Sequence, residues 1–537
     1  MKIVILGGVA AGTKIAAKLM REGRNNEVLI LNKGADISYA GCGLPYYVGH
    51  VIEEKESLIV NTPQKYEALT GARVLTRMEA VEVDRDAKQV TAVHLDTREK
   101  TVYSYDKLVI ATGASPVRPP IEGVDLENVF FMRTPEDAIA LRNLISDGGI
   151  KRAVVVGAGY IGLEIAENLA KDGVKPFVLD MAPHVLPGFD EEFATYIEGK
   201  LADAGIPVVT GVRVTGLEGE GGKVKKVLTD RKAYKADLVV LSAGIRPNTA
   251  FLDGTGLEMV KGTLLTNEAG QTNDPDIYAA GDCAMVHSAI TGKPAWSPMG
   301  STANINGRII AQNIMGKELR YRGSLGTAVC QLPGLNVGRT GLTEAQAKAE
   351  GFDPISVVTI VDDKAHYMPG AATFTMKLIA DRSTQRLLGV QVAGPGAVDK
   401  IVDITVTAIQ CGATLDQLDG ADFAYAPPFS TAIHPFAHTL NVLKNKLSGA
   451  FETFTPAEFA QGLAKDYRIV DASLKPTIEG APYVTGPLKD FGPEEKLLLI
   501  CNKGKRAYLL QNRLKAFGYQ HVKVLEGGNL FTDISLD

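Results

Sequence analysis

Cysteine is scarce in this 537-residue chain: there are five, at positions 42, 283, 330, 411 and 501. Spacing this wide excludes a disulfide scaffold and a cysteine-rich zinc cluster, and it fits a reducing compartment. An excess of charge of either sign is missing too. The formal net charge is -5 and no basic tract interrupts it, so nothing draws the chain to nucleic acid or to an anionic membrane. No apolar run has the length needed to span a bilayer. The opening apolar stretch, residues 3–6, is too short for a signal-peptide core and runs straight into glycines, so it reads as a buried strand. His434 and His438 stand four apart around Pro435 with no further ligand nearby, which argues against a metal site. A soluble cytoplasmic protein of several domains is expected.

Glycine, by contrast, is abundant, at 56 residues. Lys2-Ile3-Val4-Ile5-Leu6 precedes Gly7-Gly8-Val9-Ala10-Ala11-Gly12, and a helix follows with apolar positions at Ile15, Ala16 and Leu19. Strand, tight turn and helix in this order present backbone amides to a pyrophosphate, with Gly7, Gly8, Ala10 and Gly12 as the candidate contacts. The second strand, residues 28–31, runs into Asn32 and Lys33, where an acidic ribose-binding side chain is usual; Asn32 offers a neutral hydrogen bond instead. The pattern recurs complete at Gly157-Ala158-Gly159-Tyr160-Ile161-Gly162, after the strand 152–156. Its second strand, residues 176–179, ends on Asp180, an acid placed to accept from ribose hydroxyls and to repel a 2′-phosphate, which favours NADH over NADPH.

The strand 105–110 leads into Ala111-Thr112-Gly113-Ala114, and residues 276–280 lead into Gly281-Asp282. These segments resemble motifs of flavoprotein disulfide reductases, and the resemblance implies FAD at the first site, with Thr112, Gly113, Gly281 and Asp282 around it. Tyr160, inside the second glycine loop, is placed to cover the flavin ring until nicotinamide displaces it, or simply to pack at a strand end. Two nucleotide sites in one chain imply hydride transfer from nicotinamide to flavin.

Ser38-Tyr39-Ala40-Gly41-Cys42-Gly43-Leu44-Pro45-Tyr46-Tyr47 gives those electrons a destination. Cys42 has no local cysteine partner, so its redox partner must arrive with the substrate. The flanking glycines let the sulfur approach a flat surface, and a helix starting near Pro45 is expected to favour the thiolate. Cys283, Cys330 and Cys411, in apolar or mixed surroundings, read as packing thiols.

Together with Tyr425-Ala426-Pro427-Pro428-Phe429-Ser430, these stretches make residues 1 to about 446 resemble the coenzyme A-disulfide reductases, single-cysteine pyridine nucleotide-disulfide oxidoreductases. The resemblance implies a mixed disulfide between Cys42 and coenzyme A. It also implies a homodimer with a shared active site, in which Tyr367 and Tyr425 of the partner subunit assist at the sulfur. Gly41 and Met368 stand where the family commonly has Asn and Tyr. Lys18 and Arg21 on the first helix, with Ser38, are candidate contacts for the coenzyme A substrate.

The tail carries strands at 468–471, 497–500 and 522–525, with Cys501-Asn502-Lys503-Gly504-Lys505-Arg506-Ala507 after the second and Glu526-Gly527-Gly528 after the third. The cysteine loop and the closing Leu-Glu-Gly-Gly resemble a degenerate rhodanese domain, without the Arg and His that family usually carries near residues 472–481. Cys501 becomes the candidate sulfur carrier, feeding persulfide sulfur to Cys42 or accepting it.

The fold class expected is α/β: two Rossmann-like dinucleotide-binding domains, an α+β dimerisation domain and a small α/β rhodanese-like domain. The boundaries are 1–148 and 266–323 for FAD, 149–265 for NADH, 324–446 for dimerisation and 447–537 for the tail. The function expected is NADH-dependent reduction of coenzyme A disulfide, coenzyme A persulfide or a related persulfide or polysulfide. The alternatives are an NADH oxidase or peroxidase cycling through a sulfenic acid at Cys42, and a redox-dependent protein that binds a sulfur-bearing partner.

Overall fold

The computed structural model describes residues 1–483 and 491–534, so 484–490 and 535–537 of the expected tail domain lie outside the described residues. Two compact units form. The first comprises residues 1–183 and 206–324, the second residues 184–205 and 325–537.

The first unit holds two parallel five-stranded sheets of one design. In the first sheet Lys2–Leu6 is central, flanked by Glu27–Asn32 and then Arg73–Thr76 on one side, and by Lys107–Ile110 and then Ile277–Ala279 on the other. In the second, Arg152–Val156 is central, flanked by Lys175–Leu179 and Val208–Val209 on one side and by Leu238–Leu241 and Val129–Phe131 on the other. Where successive connections leave a central strand in opposite directions a crevice opens at the strand ends, and each glycine loop sits at that point. Ile3 to Leu6 are all buried, as a strand covered on both faces requires. Helix Ala10–Glu22 packs Ile15, Ala16 and Leu19 with Ile310, Ala311 and Ile314 of helix Gly300–Ile314.

The second unit contains an antiparallel five-stranded sheet in the order Ala328–Leu332, Leu335–Gly341, Leu387–Gly394, Thr373–Asp381, Pro354–Asp362. Helices Val398–Gln410 and Pro435–Leu447 pack on it. Gly389 lies inside strand Leu387–Gly394, where a Cβ would meet Leu342 O at 2.3 Å. The expected NADH span of 149–265 is interrupted, because residues 184–205 join this second unit. A buried ionic cluster explains why. Lys377 Nζ meets Glu192 Oε1 at 2.6 Å, Asp190 Oδ2 at 2.9 Å and Glu344 Oε2 at 3.1 Å, while Gln391 Nε2 donates to Asp190 at 2.6 Å.

A parallel four-stranded sheet, Thr453–Phe454, Val522–Leu525, Leu497–Ile500, Arg468–Asp471, forms the tail. Its Glu526 is buried and accepts from Val358 N at 2.8 Å, Lys446 Nζ at 2.6 Å and Thr453 Oγ1 at 2.6 Å. That carboxylate fastens the tail to the antiparallel sheet. Two residues on, Gly528 has φ +60°, and a Cβ there would lie 1.8 Å from Cys501 O, so this last glycine is demanded by the cysteine loop.

Candidate active site around Cys42

The two glycine loops are built alike, with the same close approaches. Gly7 has φ +107° and a Cβ on it would meet Ala111 O at 2.1 Å; Gly157 has φ +112° and would meet Ser242 O at 2.4 Å. The third glycines, Gly12 and Gly162, pack against the carbonyls of Gly7 and Gly157. Neither following helix has a side-chain cap at its N-terminus, so the first-turn amides beyond Val9 and Gly159 remain directed outward. Uncapped amides over a glycine turn, at a strand-order switch, suit a pyrophosphate. The residues present therefore fit FAD at the first loop and a nicotinamide dinucleotide at the second.

Asn32 and Asp180 both reach back to these loops. Asn32 is buried; its Oδ1 accepts from Gly8 N at 2.9 Å and its Nδ2 donates to Gly34 O and Asp36 O. Asp180 accepts from Ala158 N at 2.6 Å and Ala182 N at 2.8 Å. Each residue braces the glycine turn, a role the ribose argument did not include. Lys33 points to solvent and pairs with Glu79.

Thr112 donates to Asn248 O and its carbonyl accepts from Asn248 Nδ2, which sets the turn carrying Gly113. Asp282, after Gly281, accepts from Arg133 Nη2 at 2.8 Å. Arg133 escaped the sequence reading. Its position just before the helix-capping Thr134 gives a structural reason for its neighbours but no sign of its own function.

Cys42 lies in a single 3-10 turn, Gly41–Gly43, that runs into helix Leu44–Val48. Its side chain is open to solvent, whereas Cys283 and Cys330 are buried. Cys411, expected as a packing thiol, is exposed as well, because it follows the last turn of helix Val398–Gln410. Helix Leu44–Val48 was expected to favour the Cys42 thiolate, but the balance runs the other way. Protein packed behind the sulfur, then the charges of Glu164 and Asp282, push the thiol above its ordinary pKa, and only Arg133 opposes them. A five-residue helix contributes a weak partial charge, which burial of the sulfur, with the two carboxylates added, outweighs.

Arg142 secures this turn from helix Pro135–Ser146. It donates to the carbonyls of Tyr47, Ile52 and Glu53 and stacks on the Tyr47 ring at 4.3 Å. Ser38 has φ +49° and donates its backbone N–H to Gly8 O, tying the cysteine stretch to the first glycine loop. Lys18 is ion-paired with Glu22, and Arg21 is exposed on the same helix.

The first unit thus gathers Cys42, both glycine loops, Asn32, Thr112, Gly113, Asp180, Gly281, Asp282, Lys18, Arg21 and Ser38. Tyr367, Tyr425 and Cys501 belong to the second. Tyr367 and Tyr425 are hydrogen-bonded neighbours, 64% and 50% exposed, and the bond raises the Tyr367 pKa. Phe429 and Ile433, close by in sequence, are also exposed. Cys501 is buried, with Ala507 N 3.5 Å from its sulfur, beneath a loop whose Lys503 pairs with Asp362 at 2.9 Å. Beside that loop, Asp471 accepts from the backbone amides of Ser473, Thr477 and Ile478, where the rhodanese Arg and His were missed.

The family pattern described as pyridine nucleotide-disulphide oxidoreductase matches residues 1–303, and that of the family's dimerisation domain matches residues 328–437. The chain is 36% identical to an NAD(P)H coenzyme A polysulfide/persulfide reductase of Pyrococcus horikoshii over 448 residues, 82% of this chain and 98% of the relative. It is 34% identical to an NADH oxidase of Methanocaldococcus jannaschii over 449 residues, 83% of this chain and 100% of the relative. A solved NAD-dependent persulfide reductase from A. fulgidus superposes with a TM-score of 0.93 at 35% identity, over 99% of this chain and all of that one. A Bacillus anthracis structure, reduced CoADR-RHD, also gives 0.93, at 30% identity over 99% of this chain and 97% of that one. These two likenesses extend over the tail. Among the described residues no helix is long and apolar enough to cross a membrane.

Proposed function

Since the chain belongs to the pyridine nucleotide-disulphide oxidoreductases, we propose that it reduces coenzyme A disulfide, coenzyme A persulfide or a related persulfide or polysulfide at Cys42, using NADH. The observation that carries this reading is one solvent-open sulfur, without a cysteine partner, in the same compact unit as two dinucleotide loops. Held at the loop of Gly7, Gly8 and Gly12 with the Asp282–Arg133 pair alongside, FAD would supply two-electron transfer between NADH and a sulfur at Cys42. The chain's own part is to hold that sulfur. The Cys42 thiolate attacks the substrate's disulfide or persulfide and retains one sulfur as a mixed disulfide or persulfide, while the departing thiolate collects a proton.

Tyr367 and Tyr425 are suited to giving such a proton or a hydrogen bond. Their exposure beside Phe429 and Ile433, within the family's dimerisation domain, supports a homodimer in which a partner covers this face and each subunit completes the other's site. A second reading, NADH oxidase chemistry through a sulfenic acid at Cys42, is favoured by the likeness to the M. jannaschii NADH oxidase. Anaerobic turnover decides between them. NADH consumption that needs persulfide and proceeds without oxygen supports the sulfur reading, and consumption that stops without oxygen overturns it.

Asp180 should set the choice of nicotinamide. Asp180→Asn keeps an acceptor for the Ala158 amide but removes the charge, and the NADPH to NADH ratio of kcat/KM is expected to rise about tenfold. An unchanged ratio in steady-state assays with both nucleotides would show that discrimination lies elsewhere.

Cys501 is suited to carry a persulfide, its sulfur lying 3.5 Å from the Ala507 amide in the first turn of helix Lys505–Ala516. Cys501→Ser is expected to remove the one-sulfur mass increment that a persulfide donor leaves on the tail, yet to change turnover of small persulfides less than about twofold. Intact-mass and kinetic measurements on the same preparation check both parts.

A further inference from the structure

The second unit contains a cavity of about 220 Å³ that the chemistry at Cys42 does not use. It lies where three parts of the unit meet: the root of the loop carrying Tyr367, the first turn of helix Val398–Gln410, and the segment Pro428 to Pro435 that follows Tyr425. Phe374, Ile401, Pro428 and Phe429 give it apolar walls. Two 13-residue helices begin on its lining, at Ala397 and at His434, and the first has no side-chain cap. Both bring the positive end of a helix dipole to the same space.

The polar groups on the lining are specific. His434 is 6% exposed, and its Nδ1 accepts from Phe436 N at 3.2 Å, which leaves the ring proton on Nε2. Nε2–H has no protein partner among the described residues. Burial, and then Lys400, hold the imidazole pKa down at about 4, so near neutral pH it is an uncharged donor. Asp363, 7% exposed, accepts from Ala372 N at 2.8 Å through Oδ1 and lies 3.9 Å from Lys364 through Oδ2, so these two charges offset each other. Gly396 leaves room beside that oxygen, since a Cβ on it would stand 3.0 Å from Oδ2. Lys400 is different: it donates to Phe429 O at 3.0 Å, and among the described residues no carboxylate pairs with it. Asp399 and Asp403, on its own helix, line a neighbouring groove that shares Lys400, but neither bonds to it. The cavity therefore carries one uncompensated positive charge and one buried neutral donor.

We propose that this cavity binds a small organic monocarboxylate, its oxygens on the Lys400 ammonium and His434 Nε2–H and its apolar body against Phe374, Pro428 and Phe429. One uncompensated charge matches one carboxylate, and a charge-assisted bond from Lys400 together with a buried donor fixes its orientation. The cavity has the room of about seven water molecules, enough for a carboxylate the size of benzoate and far too little for a nucleotide or coenzyme A. Its place gives the site a consequence. Lys400 holds the Phe429 carbonyl in the stretch that carries Tyr425, and Asp363 pairs with Ala372 through both backbone and side chain to close the loop that carries Tyr367. An occupant packed between them braces both tyrosine-bearing segments at once.

Benzoate is the probe, titrated calorimetrically into the FAD-loaded full-length protein with NAD⁺ and coenzyme A present to fill the other anion sites. Saturable binding with a Kd below about 1 mM is expected. Benzamide, of the same shape without the charge, should bind about tenfold more weakly or worse, and Lys400→Met should weaken benzoate by a similar factor. Hydrogen exchange on the parent protein locates the site and decides the matter if Lys400→Met fails to fold. Benzoate should slow exchange in residues 363–372 and 425–434 and leave both glycine loops unchanged. Absent binding, benzamide as tight as benzoate, an unchanged affinity in a folded Lys400→Met, or protection confined to other segments would overturn the proposal. None of these outcomes bears on the role of Cys42, which its own serine variant tests.

Discussion

Cys42→Ser is expected to leave reduction of bound flavin by NADH intact while lowering turnover of coenzyme A disulfide and persulfide about 10³-fold or more. The serine hydroxyl is a poor nucleophile without an activating base, and it cannot hold a substrate sulfur in a reducible S–S bond. The rest of the machinery does not depend on that sulfur. The amides past Val9 and Gly159, the Asn32 and Asp180 braces and the Asp282–Arg133 pair would all remain in the variant. Anaerobic mixing with NADH should therefore bleach the flavin at nearly the parent rate, after which added coenzyme A disulfide should fail to restore its colour. A variant that reoxidises with the disulfide at the parent rate would remove Cys42 from the chemistry.

The second large effect concerns stability. Lys377→Met leaves Asp190, Glu192 and Glu344 facing one another without their cation in the interior of the second unit, and a loss of about 3–5 kcal/mol is expected. In the parent protein burial by itself would lower the Lys377 pKa, but the three carboxylates reverse this and hold it above its ordinary value. Burial would likewise raise Glu344, yet Lys377, Lys348 and Ser356 hold it down at about 2. A depressed carboxyl pKa contributes stability above the unfolded value, near 4.5, and loses it as pH falls toward about 2. With Lys377 removed the sign reverses. The orphaned carboxyls then prefer their protonated forms, so mild acid should relieve the variant over the range in which the parent weakens. Urea midpoints measured from pH 7 downward should converge for the two proteins, and parallel curves would show that the cluster contributes no linked protons.

Much of this protein could be read from the chain alone. A glycine at φ +107° or +112° is required by its own turn, so Gly7 and Gly157 announce the dinucleotide loops wherever the rest of the chain goes. Cys42 between two glycines, the strands with period and length suited to a parallel sheet, and Asp180 at the end of the second strand are local facts of the same kind. Gly528 belongs with them only in part. Its place in Leu-Glu-Gly-Gly was visible, but that it packs on the Cys501 carbonyl became visible only in the fold.

Charge placement could not be read in this way. Glu164 and Cys42 stand 122 positions apart in the chain, Arg133 and Asp282 149 apart, Lys377 and Asp190 187 apart, and Glu526 and Val358 168 apart. Composition alone makes each an ordinary surface residue. Sequence determined where the backbone must bend and which sulfur stands alone, because those demands act within a few residues. The tertiary structure decided which carboxylates lose water and what faces them, because desolvation and Coulomb forces depend on distance through space and take no account of separation along the chain.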